Sequence, residues 1–176
     1  MSTALGLCGS LRAASTNRML LREAGRLYGG LEEGDLRLPL YDGDLETAEG
    51  IPAAVTKLAG QIQAAPAVII ATPEYNKAIS GVLKNALDWV SRVDDNPWQD
   101  KPVAILSCTA GRAGGERAQW VLRLCLLPFQ ADVLPGPEVL VGTNDTAFEE
   151  SGRLTNARNQ EALEQLMAKL RAKAGG

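Results

Sequence analysis

Apolar runs of strand length alternate with stretches of helical periodicity along this chain. The first run is 4–8. From 17 to 27 the apolar residues Met19, Leu20, Ala24 and Leu27 recur at helical spacing. The stretch 36–40 predicts a second, weaker strand, and 42–50 a loop. Pro52 stands where a helix favours a first-turn proline, ahead of the stripe Val55, Leu58, Ala59 and Ile62. Residues 67–71 are apolar throughout, the pattern of a central parallel strand covered on both faces. A loop over 72–80 and a helix over 81–92 follow. Then come a strand at 103–106, a glycine-rich loop at 107–115 and a helix to about 127. The last strand falls within 132–141, broken by Pro135 and Pro137. A helix over 155–173 carries Leu163, Leu166, Met167 and Leu170 on one face.

Five strands each followed by a helix imply an α/β fold, because right-handed crossovers place helices on both faces of a parallel sheet. The expectation is a flavodoxin-like five-stranded sheet in the order 2-1-3-4-5, forming a single domain over 1–176. Ligands of such sheets bind beyond the carboxyl ends of the strands, where the strand order reverses. The loops after strands one, three and four therefore carry the chemistry.

Composition narrows what that chemistry is. The 176 residues are 45% hydrophobic and 22% charged, with a net charge of −3. A basic face for nucleic acid is not expected from that balance. No run reaches the length of a membrane span. Met1-Ser2-Thr3-Ala4 leads directly into an apolar strand without a basic lead or cleavage site, so no signal peptide is expected. Cys8, Cys108 and Cys125 are far apart and odd in number, which suits a reducing cytoplasm and offers no metal spacing. There is no histidine, which excludes Ser-His-Asp and Cys-His catalysis and His-ligated metal. An enzyme of this composition uses other side chains or a cofactor that brings its own chemistry.

The first loop holds Gly9, Ser10, Leu11, Arg12, Ser15, Thr16 and Asn17 ahead of a helix N-terminus. Hydroxyls, a guanidinium and unpaired helix N–H groups make a phosphate site. It is neither a Walker loop nor G-x-G-x-x-G. The plainer alternative is that Ser15 and Asn17 cap the helix and Arg12 is solvated. The second loop, with Pro73, Glu74, Tyr75 and Asn76, offers shape and polar groups to a planar ring, or is an ordinary turn. The third, Ser107-Cys108-Thr109-Ala110-Gly111-Arg112-Ala113-Gly114-Gly115, lets backbone approach a ligand closely. Arg112 either meets an anionic nicotinamide dinucleotide or is simply exposed.

Gly9-Ser10-Leu11-Arg12 with Ser15 and Asn17, Thr72-Pro73-Glu74-Tyr75-Asn76, and Gly81-Val82-Leu83-Lys84-Asn85-Ala86-Leu87-Asp88-Trp89 together resemble the NADPH-dependent FMN reductase family, with its bacterial chromate and quinone reductases. The resemblance implies non-covalent FMN and reduction by NADPH or NADH. It places Ser10, Arg12, Ser15 and Asn17 at the FMN phosphate. Pro73, Glu74, Tyr75 and Asn76 would line the flavin ring, and Ser107, Thr109, Gly111 and Gly114 its other side. Cys108, Ala110 and Arg112 depart from the family pattern. No residue beyond Pro135 is carried over.

The implied chemistry belongs to the flavin rather than to a catalytic side chain. Electrons would pass by a ping-pong mechanism to a small acceptor: a quinone, free flavin, chromate, an azo compound or a ferric chelate. The resemblance also implies a homodimer or homotetramer, for which Trp89 and Trp98 are candidate interface residues unless they are core. Two other readings stay open: a flavodoxin-type electron carrier without nicotinamide turnover, and a flavin-free interaction module.

Overall fold

The computed structural model describes residues 3–175; Met1 and Ser2, on which the leader reading rests, lie outside the described residues. Strand β1 (Ala4–Cys8) leads into α1 (Thr16–Tyr28), β2 (Leu31–Gly34), α2 (Gly43–Glu49) and α3 (Ala53–Ala64). Then follow β3 (Val68–Thr72), α4 (Gly81–Val90), β4 (Pro102–Cys108) and α5 (Glu116–Leu126). The chain closes with β5 (Asp132–Val133), β6 (Val139–Val141) and α6 (Ala157–Ala174). The sheet order is β2-β1-β3-β4-β5, with β6 also on β4, and all pairs are parallel.

Strict alternation along each central strand divides the core. Ile69, Ala71, Ala104 and Leu106 face one way and pack with Leu20, Leu21 and Ala24 of α1 and Leu163, Met167 and Leu170 of α6. Val68, Ile70, Val103 and Ile105 face the other way, onto Leu58 and Ile62 of α3, Leu83 and Leu87 of α4, and Leu122 and Leu126 of α5. Helices thus lie on both faces, as the alternation predicts.

Three expectations need correction. The second strand is Leu31–Gly34, not 36–40. Its Glu32 and Glu33 mask the strand signal but suit an edge, where charge discourages further pairing. Glu33 faces Arg18 and Arg22 at 3.2 and 2.8 Å. Residues 36–40 run as an unpaired connector. Leu36 is buried there, and the Pro39 carbonyl accepts from Trp89 Nε1 at 2.7 Å and Asn85 Nδ2 at 2.9 Å.

Second, the loop at 42–50 contains α2, capped by the Asp42 side chain on the Asp44 amide; none of its residues is buried, so it left no apolar stripe to read. Third, the last strand is two strands, making six in the sheet. β5 pairs with Pro102 and Val103, β6 with Leu106 to Cys108. Pro135 and Pro137 fall between them and have no N–H to continue a ladder.

Candidate functional site

β1, β3, β4 and β6 run parallel, so the loops after them gather at one sheet edge. They enclose a cleft of about 220 Å³ lined by Ser10, Arg12, Ser15, Thr16, Asn17, Pro73, Glu74, Tyr75, Cys108, Thr109, Ala110 and Asn144. The cleft lies at the carboxyl ends, where the order turns from β2 on one side of β1 to β3 on the other. A larger hollow of about 730 Å³ opens among Asp94, Asp95, Asp100 and the Val93–Lys101 connection. Its acidic lining does not suit an anionic ligand, so chemistry rather than volume selects the smaller cleft.

The floor of the cleft is the N-terminus of α1. Ser15 caps the helix, its oxygen accepting from the Arg18 amide at 3.2 Å, and no acid stands in the first turn. Ser10 Oγ accepts from the Arg12 amide at 3.4 Å. Arg37 and Arg18 donate to the Leu11 and Arg12 carbonyls at 3.5 and 3.4 Å. Arg18 and Arg37 face Glu33 and Asp35, whereas Arg12 has no ion-pair partner among the described residues. Hydroxyls, an uncompensated guanidinium and an acid-free helix start form a donor set for a phosphate.

Asn17 is buried and doubly committed. Its Nδ2 donates to the Cys108 carbonyl at 2.8 Å, and its Oδ1 accepts from the Cys108 amide at 2.9 Å. The first loop is thereby fastened to the third. Asn144 adds a second tie, its Nδ2 donating to Thr16 Oγ1 at 3.3 Å and its amide to the Thr109 carbonyl at 3.2 Å.

The second loop supplies the opposite wall. Pro73 is buried and Tyr75 is exposed beside it. Tyr75 and Ala78 exchange two backbone hydrogen bonds at 3.0 Å across Asn76 and Lys77, both at positive φ, which closes a tight turn.

Eight of the twelve sequence-predicted residues meet in the cleft: Ser10, Arg12, Ser15, Asn17, Pro73, Glu74, Tyr75 and Thr109. Asn76, Ser107, Gly111 and Gly114 are not among its lining residues. Ser107 is wholly buried; its hydroxyl donates to the Gly114 carbonyl at 2.6 Å and accepts from Gln119 Nε2 at 2.9 Å. Gly114 adopts φ 62°, and a Cβ there would lie 2.5 Å from the Leu140 carbonyl carbon. Ser107 and Gly114 therefore shape the third loop from behind.

Thr16, Cys108, Ala110 and Asn144 complete the lining without having been singled out as site residues. Asn144 follows β6 as the other loops follow their strands, and the parallel topology alone could have pointed to it. Burial pushes the Cys108 thiol above its ordinary range, and a hydrogen bond with Thr16 offsets part of that. It is a core thiol at the cleft floor, not an activated one.

The sequence profile of NADPH-dependent FMN reductase matches residues 2–146. The chain belongs to the NADPH-dependent FMN reductase family. It is 43% identical over 170 residues to an NAD(P)H-dependent FMN reductase of Pseudomonas aeruginosa, covering 94% of this chain and 91% of that protein. It is also 43% identical over 141 residues to a quinone reductase of Escherichia coli, covering 77% and 75%. Among solved structures it is similar to FerB, a flavoenzyme NAD(P)H:(acceptor) oxidoreductase from Paracoccus denitrificans. There the TM-score is 0.89 at 28% identity, with 99% and 98% of the two chains covered. As an FMN reductase family member this protein is an oxidoreductase, with FMN as cofactor and a reduced nicotinamide as co-substrate. The donor set of the cleft fits the phosphate of that cofactor.

Trp89 and Trp98 are 0% and 1% exposed and belong to the interior. Neither offers itself to a partner, so neither carries the interface expected from the sequence. Among the large exposed apolar residues, which also include Leu40 and Tyr75, Trp120, Leu124 and Leu127 follow one another at helical spacing along α5 and the turn after it. Among the described residues, no helix is long and apolar enough to cross a membrane.

Proposed function

We propose that this protein uses the cleft to hold FMN and passes electrons from NADH or NADPH to a small acceptor, quinones being the first class to test. The observation that carries this reading is Arg12: a guanidinium without an ion-pair partner among the described residues, set among the hydroxyls of Ser10, Ser15 and Thr16 at the start of α1. Those four side chains would hold the phosphate. Pro73 and Tyr75 on one wall and Thr109 and Ala110 on the other would line the ring, with the Glu74 carboxylate between the first two turned to α5. Asn17, its side-chain atoms committed to Cys108, acts there through the position it imposes. Ser107, Gly111, Gly114 and Asn76 contribute by shaping the two ring-facing loops.

When bound, FMN would supply the redox chemistry between the reduced nicotinamide and the acceptor. The protein's own part is to bind, orient and leave one flavin face open to two substrates in turn, the condition for ping-pong kinetics. No side chain of the cleft is required as an acid or base. The setting we propose is the cytoplasm, where reduced nicotinamides and three free cysteines coexist.

We also propose that the protein self-associates as a homodimer or homotetramer. The exposed stripe Trp120, Leu124 and Leu127 supports this, since an exposed aromatic beside leucines is costly to leave in water. Light scattering of the flavin-loaded protein at micromolar concentration tests it; a monomer alone is the adverse result.

The functional test is an acceptor screen with NADH and NADPH on purified protein. Steady nicotinamide oxidation that depends on quinone, with parallel double-reciprocal plots, is expected. Bound FMN without turnover would indicate an electron carrier, and a colourless protein that takes up no FMN an interaction module.

A further inference from the structure

Helix α5 begins without a side-chain cap of its own, because its N-cap is Gly115. The first amides of a helix have no intrahelical partner and need one from elsewhere. The Ala118 amide finds it in Glu74, 44 positions earlier, whose Oε2 accepts at 3.2 Å. Arg117 of the same turn places Nη1 3.9 Å from Glu74 Oε1. A carboxylate is the favoured charge at that end of a helix. The Glu74 side chain is only 17% exposed, so the contact is sheltered rather than freely solvated.

Glu74 immediately precedes the closed turn of Tyr75 and Ala78, whose backbone bonds are spent on each other. The placement of that turn therefore depends on its flanks. On one flank Ser80 caps α4. On the other flank stands Glu74. One residue beyond Ala118, Gln119 Nε2 donates to Ser107 Oγ and to the Val139 carbonyl, both at 2.9 Å. The start of α5 thus touches the second loop through Glu74 and, through Gln119, the Ser107 hydroxyl near the end of β4, which holds the Gly114 carbonyl of the third loop.

We infer that Glu74 is a positioning residue for flavin reduction: by capping α5 from across the cleft, it sets the separation of the wall bearing Pro73 and Tyr75 from the wall bearing Thr109 and Ala110, and so the seat of the flavin ring. The inference rests on the FMN reading above. It requires a loss that falls on the ring and spares the phosphate.

Apoprotein of the wild type, Glu74→Ala and Glu74→Gln is titrated with FMN and with riboflavin, and the visible circular dichroism of the bound flavin is recorded. Glu74→Ala should weaken both ligands alike, by roughly three- to thirtyfold, and change the visible spectrum while the far-ultraviolet spectrum stays native. Glu74→Gln keeps an oxygen that accepts from Ala118 and should come within threefold of the wild type with its spectrum restored. Unchanged affinity and spectrum in Glu74→Ala would overturn the inference. So would a loss confined to FMN, or a Glu74→Gln variant no better than Glu74→Ala. A wild-type apoprotein that takes up neither flavin overturns the cofactor reading, and this inference with it.

Discussion

Asn17 and Cys108, 91 positions apart, share two hydrogen bonds of 2.8 and 2.9 Å that bind the first turn of α1 to the end of β4. Both residues are buried, and the Cys108 amide and carbonyl have these bonds in place of water. Removing the amide leaves two buried backbone groups without partners. Asn17→Ala should therefore cost about 2–4 kcal/mol, read as a lower urea midpoint at unchanged slope. Asn17→Asp should do no better, since it loses the donor and turns a carboxylate oxygen toward the Cys108 carbonyl.

Arg12 separates phosphate from ring. Hydrogen bonds to charged groups contribute about 1.5–3 kcal/mol, so Arg12→Ala should weaken FMN binding about ten- to a hundredfold. Riboflavin lacks the phosphate and should bind as before. Arg12 is exposed on a loop, so the fold should survive. Titration of both ligands against wild-type and variant apoprotein decides the matter; an equal loss for both would place Arg12 in support of the loop or the ring.

Lys77 carries backbone strain at φ 67° in the turn after Tyr75. A side chain in this region costs about 1–2 kcal/mol that glycine avoids, although glycine loses more entropy on folding. Lys77→Gly should stabilise the protein by roughly 0.5–1 kcal/mol, measured as a higher urea midpoint with flavin absent.

Cys108 has a raised pKa because burial disfavours its thiolate. The native state then holds its proton where the unfolded chain has released it. The contribution to stability is present below the ordinary thiol range and is lost as pH rises through the raised value. Cys108→Ser should therefore fall off less steeply on the alkaline side of a stability–pH curve. Hydride transfer should persist in that variant, and iodoacetamide should label Cys125 well before Cys108 at pH 8, as followed by mass spectrometry.

Local sequence determined the parts of this protein whose signals are local. A fully apolar run must be covered on both faces, so residues 67–71 announced a central parallel strand, found at Val68–Thr72, and the helical stripes announced what covers it. Serine and arginine ahead of a helix start marked the loop that lines the cleft. Parallel strand order then placed Pro73, Tyr75 and Thr109 at the same edge. Tertiary structure decided what depends on neighbours distant in the chain. The edge strand Leu31–Gly34 has one flank on β1, and its Glu33 meets Arg18 and Arg22 of α1, so its charge hid it. Asn17 and Glu74 look in sequence like ligand contacts. Folding turns the polar atoms of Asn17 onto Cys108 and an oxygen of Glu74 onto Ala118, because buried amides and carbonyls take the partners the fold brings within reach. Trp89 and Trp98 are interior for the same kind of reason: α4 packs onto the connector that carries Pro39, and Phe129 arrives beside Trp98 from beyond α5.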